Sequence, residues 1–234
     1  MTELNILLAT AVSIAFIHTI IGIDHYVPFI ALAKANQWPV RKTMFTVFLC
    51  GIGHVLSSIV LGLAGIALAA TVSFLVDIEN IRGEISAYFI IAFGFVYTVY
   101  GIRHAVKNKT HRHITPDGNT IMHIHSGNSE NHGHNMQDRK KYNVFWGLFI
   151  LFVLGPCEPL IPILMYPAAS RDIFTLVLVT VSFALCTIAT MLLAVFLGLK
   201  SISLIKTNRL EKYSHALAGA AVFLCGICIL VLPI

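Results

Sequence analysis

Long runs of apolar residues recur along this chain at intervals that no water-soluble core would produce. Six can be read directly, about Asn5–Ile23, Thr43–Ala70, Glu84–Ile102, Val144–Ala168, Ile173–Leu199 and Ser214–Leu232. An α-helix needs roughly 20 apolar residues to cross the hydrocarbon core of a bilayer, and the longer runs leave room for tilt or for a break. The pattern predicts an all-α integral membrane protein with six transmembrane helices. A polar stretch divides them into a first three-helix unit (1–103), a histidine-rich loop (104–142) and a second three-helix unit (143–234). With an odd number of helices in each unit, a duplicated second copy must insert upside down relative to the first. The expectation is therefore a 3+3 inverted repeat.

Composition and charge agree with this reading. The chain is 57% hydrophobic and 12% charged, with mean hydropathy +0.81, more apolar surface than a soluble domain of 234 residues can hide. Fourteen of the sixteen Lys and Arg residues fall in alternate loops. They are Lys34, Arg41 and Lys42 after helix 1; Arg103, Lys107, Lys109, Arg112, Arg139, Lys140 and Lys141 after helix 3; Lys200, Lys206, Arg209 and Lys212 after helix 5. Basic residues stay on the cytoplasmic side, so both termini are expected on the periplasmic or extracellular side, in keeping with a bacterial inner membrane. Only Arg82 and Arg171 fall in the other loops. The pI near 9.0 then reports these loops and not nucleic-acid binding. The opening Met1-Thr2-Glu3 lacks a positive region and the first run is too long for a cleaved signal, so that run is expected to stay as helix 1. Cys50, Cys157, Cys186, Cys225 and Cys228 all lie in apolar segments, which argues against a disulfide framework.

Two helices carry breakers. Helix 4 contains Gly155, Pro156, Pro159, Pro162 and Pro167, and helix 1 has Gly22 and Pro28 around Asp24. A proline inside a helix removes a backbone hydrogen bond. At membrane depth such a break persists only where protein or a cavity covers it, and paired broken helices point to the central site of a transporter. Asp24 lies four residues before Pro28, and Glu158 four before Pro162, so both halves repeat an acid ahead of a breaker.

The embedded polar groups supply candidate chemistry. Of the eleven acids only Asp24 and Glu158 fall well inside apolar segments, together with His18, His25 and His54. A charge at mid-bilayer costs at least ~2.5–3.5 kcal/mol, so such groups are functional candidates by default. His18 and His25 are seven apart, on one helix face with Gly22 between them. His54 has Gly51 and Gly53 beside it, which would let helix 2 approach helix 1 closely. Imidazole with carboxylate in a dry site suits nickel, cobalt, zinc or copper, whereas calcium and magnesium take oxygen throughout.

The segment HTIIGIDH (His18–His25) resembles the first-helix signature of the nickel/cobalt transporters and their urease-accessory relatives. FLCGIGHVLSS (Phe48–Ser58) resembles their second motif, and LGPCEP (Leu154–Pro159) stands in the place of the third. The resemblance implies divalent metal transport with ligands at His18, Asp24, His25, His54 and Glu158. The family has four residues between the first His and Asp, where this chain has five. At 100° per residue the extra one rotates His18 away from the pair, leaving it open as a ligand or as a supporting, proton-handling group. PCEPLIP (Pro156–Pro162) resembles, in turn, a segment of the thiol-reductant carriers of cytochrome c biogenesis. Those need a second cysteine in the matching helix of the other half. Helix 1 has none, and Cys225-x-x-Cys228 in helix 6 is the available substitute, or else two small residues in a lipid-packed helix.

The loop holds seven of the eleven histidines among Ser, Asn, Gly and charge, which argues against a packed domain. TPDGN (Thr115–Asn119) is strong turn chemistry, and a three-residue turn there pairs His111 with His123. Alternation places His111 and His113 on one strand face, and His123 and His125 on one face. His132 and His134 form a further chelating pair. The loop thus reads either as a metal collector or as a polar linker.

The reading that follows is a non-enzymatic membrane carrier, an exporter by its cytoplasmic loop, of a divalent transition-metal ion such as nickel, cobalt or zinc. Its partners are the ion and the lipid bilayer, with no organic cofactor and no nucleic acid. The rival is a transmembrane thiol–disulfide carrier using Cys157. An anion exporter is disfavoured by the two embedded acids and by the lack of an embedded Arg or Lys.

Overall fold

A computed structural model describes residues 3–68, 71–107, 111–114, 120–123, 135–157, 159–169, 172–203 and 213–231. The chain runs α1 (Glu3–Ile21), a 3₁₀ turn (Ile23–His25), α2 (Val27–Ala35), α3 (Val40–Ala67), α4 (Val72–Lys107), β1 (His111–Ile114), β2 (Thr120–His123), α5 (Asn135–Leu154), α6 (Leu160–Ala169), α7 (Ile173–Ser203) and α8 (Ser214–Val231). It is an integral membrane protein. Among the described residues five helices are long and apolar enough to cross a bilayer: α1, α3, α4, α7 and α8. The expected span Val144–Ala168 is divided. Its first part is the apolar end of α5, Val144–Leu154, and its second is α6, separated by the Gly-Pro-Cys stretch that cannot continue a helix.

Helix ends follow local chemistry. α2 closes with Gln37 at φ 51°, and the Trp38 and Gln37 amides donate back to the carbonyls of Ala33 (2.9 Å) and Lys34 (3.3 Å). That is a Schellman closure, after which Pro39 starts α3. The exposed Asp172 accepts the Thr175 amide at 3.1 Å at the start of α7. The Thr175 hydrogen bonds hold the Asp172 carboxyl below its ordinary range.

Close packing depends on glycine. Gly94 and Gly101 of α4 and Gly219 and Gly226 of α8 are each seven apart and face one another across an antiparallel pair. A Cβ at Gly94 would stand 2.6 Å from Phe223 Cα, and one at Gly226 would stand 2.9 Å from the Ile91 nitrogen. Only small residues let two backbones come this near. α1 packs along α7 and α5 along α3, α2 packs on α8 and α6 meets α4, while α3 meets α7 and α4 meets α8.

Two expectations change here. Gly51 and Gly53 do not bring α3 to α1: Gly51 abuts Ile188 and Met191 of α7, and Gly53 abuts Phe149 and Val153 of α5. Arg82 is not in a loop, since α4 begins at Val72 and carries Glu79 and Arg82 into the bundle. The i, i+3 ion pair between them, 2.6 Å with Glu79 fully buried, lets charged residues extend the helix. An argument from the lack of an embedded arginine therefore falls. β1 and β2 pair antiparallel with His111 opposite His123, the register that the TPDGN turn chemistry predicts.

Candidate functional site

The site forms where helix 1 breaks. α1 ends at Ile21, and Gly22 turns the chain at φ −69°, ψ 91° into the 3₁₀ turn that holds Asp24 and His25. The break resets the helical phase, so the extra residue between His18 and Asp24 does not turn His18 away. The His18 and His25 rings lie 5.0 Å apart, edge to face. Gly22 is required for space: a Cβ there would collide with His25 Nδ1 and lie 2.7 Å from its Cε1.

His54 of α3 completes the group, with its ring 5.0 Å from that of His25. His25 and His54 are both buried. One nitrogen from each of His18, His25 and His54 lies within 4.8 Å of the others, a spacing able to hold a metal ion. His25 Nδ1 faces two acceptors, the Gly22 carbonyl at 3.0 Å and Asp24 Oδ1 at 3.2 Å. His54 Nδ1 faces the Phe152 carbonyl at 3.3 Å. Acceptors on both Nδ1 atoms call for N–H there, which leaves the two Nε2 lone pairs pointing at each other, 3.3 Å apart. Two lone pairs at that distance repel unless a proton or a cation sits between them. Two nitrogens bound to one tetrahedral zinc, each ~2.0–2.1 Å away, stand about 3.3–3.4 Å apart. Oxygen acceptors behind ligating imidazoles are the usual device that orients them and makes them better donors. His18 Nε2 is buried with no hydrogen-bond partner among the described residues.

Cavities flank this group. One of about 170 Å³ is lined by His18, Asp24, His25, Ser86, Pro156 and Cys228, among others. A water needs only about 10–15 Å³ of such space, so a partly hydrated ion fits. A smaller one, about 20 Å³, lies on the His54 side, lined by Pro28, Leu151 and Gly155, and Asp24 and Ser86 line both.

The second break is held by polar groups that sequence reasoning missed. Arg82 Nη2 donates to the carbonyls of Val153 (3.1 Å) and Gly155 (3.0 Å) and to Ser57 Oγ (2.9 Å). Ser86 donates to the Leu151 carbonyl at 3.4 Å. Together with His54 on Phe152, α3 and α4 satisfy the carbonyls that the end of α5 leaves open. The available signal was the i, i+3 spacing of Glu79 and Arg82, which the surrounding acids disguised as a loop.

The family model for the cytochrome C biogenesis protein transmembrane region matches residues 27–228. The chain belongs to that family. No curated protein matches it, and no solved structure does. The family match spans α2 to α8, including His54, Cys157, Cys225 and Cys228, and begins after His18, Asp24 and His25. Within this family member all five cysteines are thiols. Cys157 is fully buried at the second break, in a cluster with Ala15, Val55 and Phe183, and Cys186 packs at its margin. Cys225 lies in a different cluster, with Leu151 and Val222. Glu158, His125, His132 and His134 lie outside the described residues, and of His111, His113 and His123 only the strand backbone is described.

Proposed function

We propose that this chain is a membrane carrier for a divalent transition-metal ion, bound among His18, His25 and His54 with Asp24 orienting His25. The observation that carries the reading is the facing pair of Nε2 atoms, 3.3 Å apart, with an oxygen acceptor behind each ring. The resemblance of the His18–His25 and Phe48–Ser58 segments to nickel/cobalt transporters adds the class of ion. The carrier does not transform its cargo. In this reading α5 and α6 together make one crossing and α1 continues through the 3₁₀ turn into α2, giving six crossings in a 3+3 inverted repeat. The exchange of packing partners supports it: α1 with α7 answers α5 with α3, and α2 with α8 answers α6 with α4. The two cavities flanking the imidazoles suit alternate opening to each side. Lys34, Arg41, Arg103 and Lys200 lie near the ends of α2, α3, α4 and α7, which supports a reading with that side facing the cytoplasm of a bacterial inner membrane and both termini opposite. In this reading the histidine-rich segment between α4 and α5 faces the cytoplasm, which favours export, and Glu158 stays a candidate ligand from the second half.

The family match favours a second reading more directly, a transmembrane thiol–disulfide carrier. Cys157 in the PCEPLIP break is its reactive group, and Cys186, or the Cys225–Cys228 pair, its partner. The deciding experiment is transport of radioactive nickel or cobalt into liposomes holding the purified protein. Uptake that survives Cys157→Ser and is lost in His54→Ala supports the metal carrier. No metal uptake, with redox-dependent alkylation of Cys157, supports the thiol carrier.

A further inference from the structure

Helix α8 is held against the first break. The glycine seam seats it on α4, and it also packs on α2 and on the 3₁₀ turn that carries Asp24 and His25. Cys225 packs there beside Ile23 and Val27. Cys228, one turn on, lines the 170 Å³ cavity together with His18, Asp24, His25 and Pro156. Three imidazoles make an incomplete set for a tetrahedral ion, which takes four ligands. Among the described residues the buried Nε2 of His18 has no hydrogen-bond partner, a separate sign that a ligand belongs in this cavity.

We propose that Cys228, which lines the same cavity but stands outside the 4.8 Å group of the three imidazole nitrogens, turns in to supply a thiolate to the ion held by His18, His25 and His54, which makes the cargo an ion of the zinc and cobalt kind that accepts sulfur. The inference rests on the metal reading of that site. Thiolate with imidazole selects against magnesium, calcium and manganese, which prefer oxygen donors. On binding, the sulfur–metal bond forms as the thiol gives its proton to solvent. No electron is transferred, and one more proton is released per ion than imidazoles alone would release.

The test is cobalt(II) added to the purified full chain under reducing conditions, followed by absorption spectroscopy. The histidine loop contains no cysteine, so a thiolate-to-cobalt charge-transfer band cannot come from it. The expected result is such a band beside the tetrahedral ligand-field bands. Cys228→Ser should keep the ligand-field bands, lose the charge-transfer band and weaken binding about tenfold or more, while Cys225→Ser keeps both. A charge-transfer band that is absent from the wild type, or that survives Cys228→Ser, overturns the thiolate and leaves the histidine site standing. An unchanged number of bound ions in His54→Ala overturns the metal reading and the inference with it. Zinc protection of the wild type against alkylation gives a check that needs no variant. Zinc should shield Cys228 and leave Cys186, which bonds the Val12 carbonyl away from the cavity, unprotected; equal labelling of Cys228 with and without zinc overturns the proposal.

Discussion

At the scale of single residues, the chemistry turns on which ring nitrogen carries hydrogen. The acceptors at Gly22, Asp24 and Phe152 set the Nδ1 atoms as donors and turn the Nε2 atoms inward. Asp24→Asn keeps the shape of the side chain but removes the charge behind His25. Loss of such an outer partner costs about 10–100-fold in metal affinity, and calorimetric titration should find a drop of that size. Protons and metal compete for the same lone pairs, so affinity should fall as pH is lowered. Measuring this in a variant with the loop histidines replaced separates the embedded site from the loop. An affinity that does not change with pH would mean that the lone pairs are not the ligands. Gly22→Ala should abolish binding at the site, because the added methyl occupies the space of the His25 ring.

Among the elements, the two broken helices are answered in different ways. The first break satisfies itself, with the His25 amide and ring both donating to the Gly22 carbonyl. The second relies on other helices, chiefly on Arg82 and its ion pair with Glu79. Removing one partner of a buried pair leaves an uncompensated charge and costs about 3–5 kcal/mol. Arg82→Met should therefore lower the thermal transition of the detergent-solubilised protein sharply. Adding Glu79→Gln to it should recover part of the loss. Full additivity of the two changes would show that the pair is not coupled.

For the molecule as a whole, the α4–α8 seam holds together the two halves that the polar loop separates. Gly219→Leu would drive a side chain into the Thr98 backbone, and either the helices part or the protein fails to assemble. Because α8 also backs the 3₁₀ turn, metal binding should weaken in the same variant under conditions where it still elutes as a single species in detergent.

The sequence by itself determined that this is a membrane protein, because apolar run length and the alternation of basic loops are one-dimensional properties. It also determined where the chain breaks, because glycine and proline act on their own backbone, and it determined the His111–His123 register, because a tight turn leaves one pairing. It singled out His18, Asp24, His25 and His54 as residues too polar for their surroundings. What only the tertiary structure decided is which of these meet. The distance from His18 to His25 depends on a phase reset at Gly22 that spacing along a regular helix misjudges. The approach of His54 depends on glycines that serve α5 and α7 and not α1. Arg82 entered the bundle because its charge is met by Glu79 and by carbonyls 71 and 73 residues away in the chain, partners that no local pattern reveals. Cys228 reached the cavity for the same kind of reason, since the helix that carries it is placed by a glycine seam with a distant part of the sequence.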